Sequence, residues 1–448
     1  MRSRAIGFVV LMTSAVGGLS ACGSGDDTSV AVPIPDAGGD VTVSDAKEGD
    51  AASDGSLADG ASDGGLIDGA SPSRLLLSYN SYAGADPSEV VAFDLGSSSV
   101  AGRLEYSGTG TTYVGTSAPW LLEQSADVVA RLDATEPWVI DASWNVAQPS
   151  ADASNTDPQA VIVNAGTKAY VLPYLRNAIS VIDTSMSQDG ALPTKSIDLS
   201  ALVQDGGDGT LEMTAGTYVA SQSRVYVLLA NINQNTYDTS TGYLHCAGAA
   251  SPTIIAIDTT TDSLVALDGG TGAGVPLPGR NPAFGQGAMA YDAAGNRLLV
   301  LQGGCTSSAP DGGAGPLLGA EVDEFALSTS TTSVLLDLTG QELPTQLVYV
   351  DAQHAFVQVG YGPFTTYAWN PTTTTLGAAI PNAPDSFAWD GAGNLLGVTA
   401  LYDSDSGAVT GYDVVSVKAA DGTVTKLSSN PFSLTGGGVS GVQLWPAP

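Results

Sequence analysis

Histidine is nearly absent from this chain: 448 residues hold two, His245 and His354. A metal centre built on several imidazoles is thereby excluded. No Gly-x-Ser-x-Gly stands before a helical stretch, so no marked nucleophile invites a Ser-His-Asp reading. Charge is scarce and one-sided. Charged residues make up 13% of the chain, 46 acidic against 14 basic, for a formal net charge of −32. The excess is not confined to a tail, since 35 of the acidic and 11 of the basic residues fall in 74–448. Such a surface repels phosphate backbones and anionic head groups, and no basic patch offsets it, which argues against nucleic acid as a partner. Long stripes of period 3.6 are missing as well. With Val, Thr and Gly plentiful, the fold class is all-β.

The chain opens with Arg2 and Arg4, an apolar stretch over about residues 5–16, and small residues up to Cys22. A basic front, a short apolar middle and a small-residue break make residues 1–21 an export signal, too short for a comfortable membrane span. Leu19-Ser20-Ala21-Cys22 resembles the lipobox of bacterial lipoproteins. That resemblance implies lipidation of Cys22 and anchorage to a membrane through its acyl chains. Gly23 in place of an Asp after the Cys implies the outer membrane, on its periplasmic or cell-surface face. Residues 22–73 contain no aromatic residue and repeat Asp-Gly, as at Asp54-Gly55, Asp59-Gly60, Asp63-Gly64 and Asp68-Gly69. Without apolar area to offset chain entropy, this stretch is expected to be a disordered acidic tether with a reach of about 40 Å. Its spacing lacks the alternating ligands of a calcium loop. The folded domain is left to residues 74–448.

Within that domain, residues 159–183 read QAVIVNAGTKAYVLPYLRNAISVID. Three short apolar runs, 160–163, 169–172 and 178–182, are separated by Asn-, Gly- and Pro-containing gaps, the pattern of strands joined by tight reversals. Tyr170-Val171 and Val181-Ile182-Asp183-Thr184 resemble the repeat of YVTN-type β-propellers, which implies a ring of four-stranded blades. The third run of each unit is the best marker. It recurs as Val90–Asp94, Val128–Asp133, Ser180–Asp183, Ile254–Asp258, Asp323–Leu327, Thr366–Asn370 and Val414–Val417. Seven units of about 40–50 residues predict seven blades. Units three and four carry the motif clearly, and units five to seven depart from it. The first unit begins on a second-strand run, 75–79, while one strand-like run, 439–445, remains after the seventh is complete. The expected closure places that last run as the innermost strand of the first blade, so that no edge stays open.

Two units are long. Residues 231–251 and 303–319 read as loops between second and third strands of neighbouring blades, and each contains one cysteine, Cys246 and Cys305. In an exported protein, with Cys22 given to lipid, these two are expected to form a disulfide. Among possible sites, Glu321 and Asp323 fall on one face by alternation; a glycosidase pair or a metal site is conceivable there, and solubility at a strand edge is the preferred reading. Asp205–Gly209 and Asp403–Gly407 lack the third ligand and distal Glu of a calcium cage. No cofactor and no metal are expected. Both long loops and the link 269–285 emerge on one end of the ring, and binding residues concentrate on loops set by a rigid scaffold. That end is the expected binding face, with Tyr237, Tyr243, His245 and Arg280 as contacts. Three functions stay open: a monomeric, non-catalytic propeller binding a protein or glycan; a hydrolase of the lactonase type, by fold-level resemblance alone; or a structural part of an envelope assembly.

Overall fold

A computed structural model describes residues 73–446 apart from 82–86, 116, 150–154, 165, 187–188, 206, 239–242, 247–249, 268–273, 309–313, 361–362, 405–406 and 435. The expected signal, the tether and Cys22 lie outside the described residues. Seven antiparallel blade sheets, six of four strands and one of five, follow one another along the chain. Blade 1 runs, from the axis outward, Gly437–Trp445, Arg74–Ser81, Ser88–Asp94 and Ser99–Tyr106. Blades 2 and 3 begin on Gly110–Val114 and Pro158–Val163. Blade 4 is Met213–Val219, Arg224–Leu229, Thr253–Asp258 and Ser263–Val265; blade 5 is Met289–Asp292, Arg297–Ser308, Ala314–Ala326 and Thr331–Asp337. Blades 6 and 7 begin on Pro344–Tyr349 and Ser386–Trp389. The seven expected marker runs all fall on third strands.

Closure occurs as the strand count requires. Gly437–Trp445 pairs antiparallel with Arg74–Ser81, setting Leu75 opposite Leu444, Leu77 opposite Val442 and Tyr79 opposite Val439. The core explains why the marker runs are continuous rather than alternating. Blade 1 is packed on both faces, so Val90, Val91, Ala92 and Phe93 of its marker run are all fully buried. The apolar clusters accordingly span neighbouring blades: Trp120 and Trp144 of blade 2 pack with Val161 and Ile182 of blade 3, and Leu77 of blade 1 with Val414 of blade 7. Outermost strands face water on one side and alternate, as Ser99–Tyr106 does. The Asp that ends the marker run has a physical task. Asp183 Oδ1 accepts the N–H and hydroxyl of Ser185 at 2.9 and 2.6 Å, and Asp258 Oδ1 accepts the N–H groups of Thr260 and Thr261 at 2.8 and 3.0 Å. Such side-chain-to-backbone bonds turn the chain from third strand to fourth.

Two expectations need correction. Residues 303–319 are not a loop but most of a long hairpin, in which Arg297–Ser308 pairs with Ala314–Ala326. The link 269–285 contains a short strand, Val275–Pro276, that pairs with Thr253 and Ile254. The same link ends in the turn Gly285–Gly287, which packs against the innermost strands of blades 3, 4, 5 and 6. Tyr113, on the innermost strand of blade 2, donates its hydroxyl to Gly216 O of blade 4 at 3.4 Å. Burial pushes that phenol up to about 12. Turn and tyrosine thus both lie against innermost strands.

Candidate functional site

In blade 4 the chain leaves Arg224–Leu229 on an excursion before returning at Thr253. Its described part forms a small hairpin, with Tyr237 opposite Leu244 and Asp238 opposite Tyr243. The excursion leans on blade 5. His245 forms a parallel bridge with Thr306, the Cys246 N–H donates to Thr306 O at 3.0 Å, and Cys246 is disulfide-bonded to Cys305 across a sequence separation of 59. The expected disulfide is present.

Between this excursion, the blade 5 hairpin and the link lies a recess of about 20 Å³, lined by Asn231, Thr236, His245, Arg280, Asn281 and Cys305 among others. That volume admits a group the size of one water molecule. Two asparagines frame it in similar ways. Both adopt left-handed backbone, φ 49° at Asn231 and 50° at Asn281, which Asn tolerates better than most residues. Both are fixed through their side-chain nitrogens, Asn231 Nδ2 donating to Ser251 O at 3.1 Å and Asn281 Nδ2 to Gly304 O at 3.0 Å. Arg280 Nη1 donates to Ser251 Oγ at 2.7 Å. The lining is mainly apolar, with Ala230, Ile232, Leu244 and Ala250 beside a cation, amides and an imidazole.

Two of the three walls are each pinned by a buried carboxyl. Glu212, fully buried, accepts the Ile232 N–H at 2.8 Å and so holds the start of the excursion. Burial and then the neighbouring Asp208 push its carboxyl up to about 9. Asp323, also fully buried, accepts the Gly279 N–H at 3.0 Å and holds the link. Burial and then contact with Glu321 push it up to about 8. The reading of Glu321 and Asp323 as solubilising strand-edge residues is therefore overturned: they are 8% and 0% exposed. Alternation placed them correctly on one face, but in a blade packed on both sides that face is interior.

Of the four expected contacts, His245 and Arg280 meet at the recess. Tyr237 and Tyr243 are placed by backbone on the adjoining hairpin, and their side chains lie outside the described residues. His354 is an exposed turn residue paired with Asp351 at 2.8 Å. Asn231, Asn281 and Glu212 were not anticipated; only the left-handed preference of Asn offered a signal for the first two.

No family model matches the chain, and no curated protein does. Solved structures do resemble it. A protein of unknown function from Desulfotomaculum acetoxidans aligns at 10% identity over 82% of this chain and 99% of its own, with a TM-score of 0.48. A Bacteroides fragilis protein provisionally assigned as a 6-phosphogluconolactonase aligns at 13% identity over 83% and 98%, with a TM-score of 0.47. Apo AztD from Citrobacter koseri aligns at 10% identity over 82% and 97%, with a TM-score of 0.42. At such distances these similarities carry no argument about function, and the seven-bladed propeller rests on the strand pairing itself.

Proposed function

We propose that this chain is an exported lipoprotein, anchored to the outer membrane through Cys22, whose YVTN-type propeller binds a protein or glycan partner at the cell envelope without catalysing a reaction. One observation carries the binding half: excursions from two neighbouring blades are locked together by Cys246–Cys305 around a recess that Asn231, His245, Arg280 and Asn281 help to line, on the loop-bearing end of the ring. Rigid scaffolds with fixed loops are where recognition residues concentrate. The lipobox-like Leu19-Ser20-Ala21-Cys22 supports the anchorage, and the acidic stretch 22–73 would hold the domain off the membrane.

The anchorage is tested by metabolic labelling with a palmitate analogue, which should mark the wild type and not Cys22→Ala; equal labelling would overturn it. The binding half is tested with glycan arrays and envelope pull-downs on wild type, Tyr243→Ala and Arg280→Ala. A partner retained by the wild type and lost by either variant supports the face, and retention of every partner by both moves it elsewhere. Turnover of sugar lactones by the purified chain would replace the binding reading with a hydrolase.

A further inference from the structure

Glu321 and Asp323 stand two residues apart on the third strand of blade 5 and so project to one face. Asp323 Oδ2 is satisfied, accepting the Gly279 N–H and the Gln302 Nε2 donor, each at 3.0 Å. Its Oδ1 and the Oε1 of Glu321 are buried acceptors that meet no donor among the described residues, although the two carboxyls are in hydrogen-bonding contact. Charged groups face the pair from two sides. Arg280, on the link, favours ionised Glu321; Asp337, opposite Glu321 on the outermost strand, opposes it. The second strand contributes the neutral Gln302. Two carboxylates in buried contact cannot both ionise without severe repulsion and lost hydration. A single proton between them gives both unpartnered oxygens a bond.

We infer that Glu321 and Asp323 share one proton, and that loss of this proton latches the link 279–281, and with it the recess wall, more firmly in place. The regulatory meaning of the latch rests on the recess being the binding face; the shared proton does not. When the proton leaves to solvent, two like charges face each other, and the groups that favour the ionised pair, the Gly279 N–H and the Arg280 guanidinium, both belong to the link. The link packs closely against the pair, since a Cβ at Gly279 would stand 2.2 Å from Gln302 Cγ and 2.9 Å from Asp323 Oδ2. Arg280 and Asn281, which line the recess, are held with it.

The sign follows from linkage. A carboxyl that keeps its proton in the folded state up to about 8 contributes stability that is complete below the unfolded value, about 4, and is lost as pH rises through the folded one. Glu321→Gln and Asp323→Asn each put a permanent amide donor where the shared proton sits. Urea unfolding of wild type and both variants from pH 5 to 9 should show the wild-type folding constant falling up to about tenfold per pH unit faster than either variant's, below about pH 8. Parallel curves would overturn the shared proton, and if one variant fails to fold, the other reads the same difference. Latching is read separately through Cys305, which is 2% exposed and lines the recess. Reduction of Cys246–Cys305 by a phosphine at pH 9 should be slower in the wild type than in Glu321→Gln. Equal rates would overturn the latch. Neither outcome touches the binding assignment, which the labelling, array and pull-down experiments decide.

Discussion

Removing the disulfide with Cys246→Ala and Cys305→Ala should weaken the domain without reshaping it. The bridge closes a loop of about sixty residues, which in the chain-entropy model corresponds to about 4 kcal/mol taken from the unfolded ensemble. In the folded state its loss is cushioned. The Cys246 N–H still reaches Thr306 O at 3.0 Å, the His245–Thr306 bridge remains, and Thr306 Oγ1 still donates to Leu244 O at 3.4 Å. The cost should therefore lie in the unfolded chain. Urea denaturation followed by tryptophan fluorescence would show a lower midpoint and an m-value equal to or above the wild type's, since an uncrosslinked chain exposes more surface. Wild type treated with reductant should coincide with the variant. A midpoint displaced by less than about 1 kcal/mol would refute the entropic argument. It would show that the excursion and the blade 5 hairpin hold each other by hydrogen bonds and packing alone.

Deleting residues 437–448 should abolish soluble monomer, because it bares the edge of Arg74–Ser81 and removes the partners of Leu75 and Leu77; unchanged melting of the truncated chain would contradict the closure. Stability should fall as pH rises from about 4 toward 8 and 9, since Asp157, Glu212 and Asp323 hold protons in the folded state up to about 8, 9 and 8. Below about pH 4 it should fall again, because Asp258, held down to about 2 by the Thr260 hydroxyl and N–H, and its counterparts Asp133 and Asp183 must then be protonated. Calorimetry across pH 3–9 checks both limbs, and a maximum at or above pH 8 would rule out the first.

The first four blades were legible in the sequence because their third strands carry two signals at once. Each is largely buried on both faces, which makes it an apolar run, and it ends in or is followed by an Asp whose carboxylate caps the next turn: Asp94, Asp133, Asp183 and Asp258. The closure was legible from counting, since one strand was missing at the head and one left over at the tail. Residues 303–319 misled because Gly303, Gly304 and the Gly-rich stretch after Ser308 read as turn formers. The long hairpin prevails because its pairing extends the blade and its Cys305 is tied to the neighbouring excursion. Glu321 and Asp323 misled for the opposite reason. Alternation says which residues share a face, and nothing in a lone sequence says that a second blade covers it. Arg280 and His245 came into view only through their loops.

The account's central claim is that the disulfide-locked end of the ring meets the partner. Photo-crosslinking amino acids placed singly at Asn235, exposed on the excursion, and at Asp421, exposed on the opposite end, test it in intact envelopes. Discrete adducts from position 235 and none from 421 are the predicted result; adducts from 421 alone, or equally from both, would contradict it.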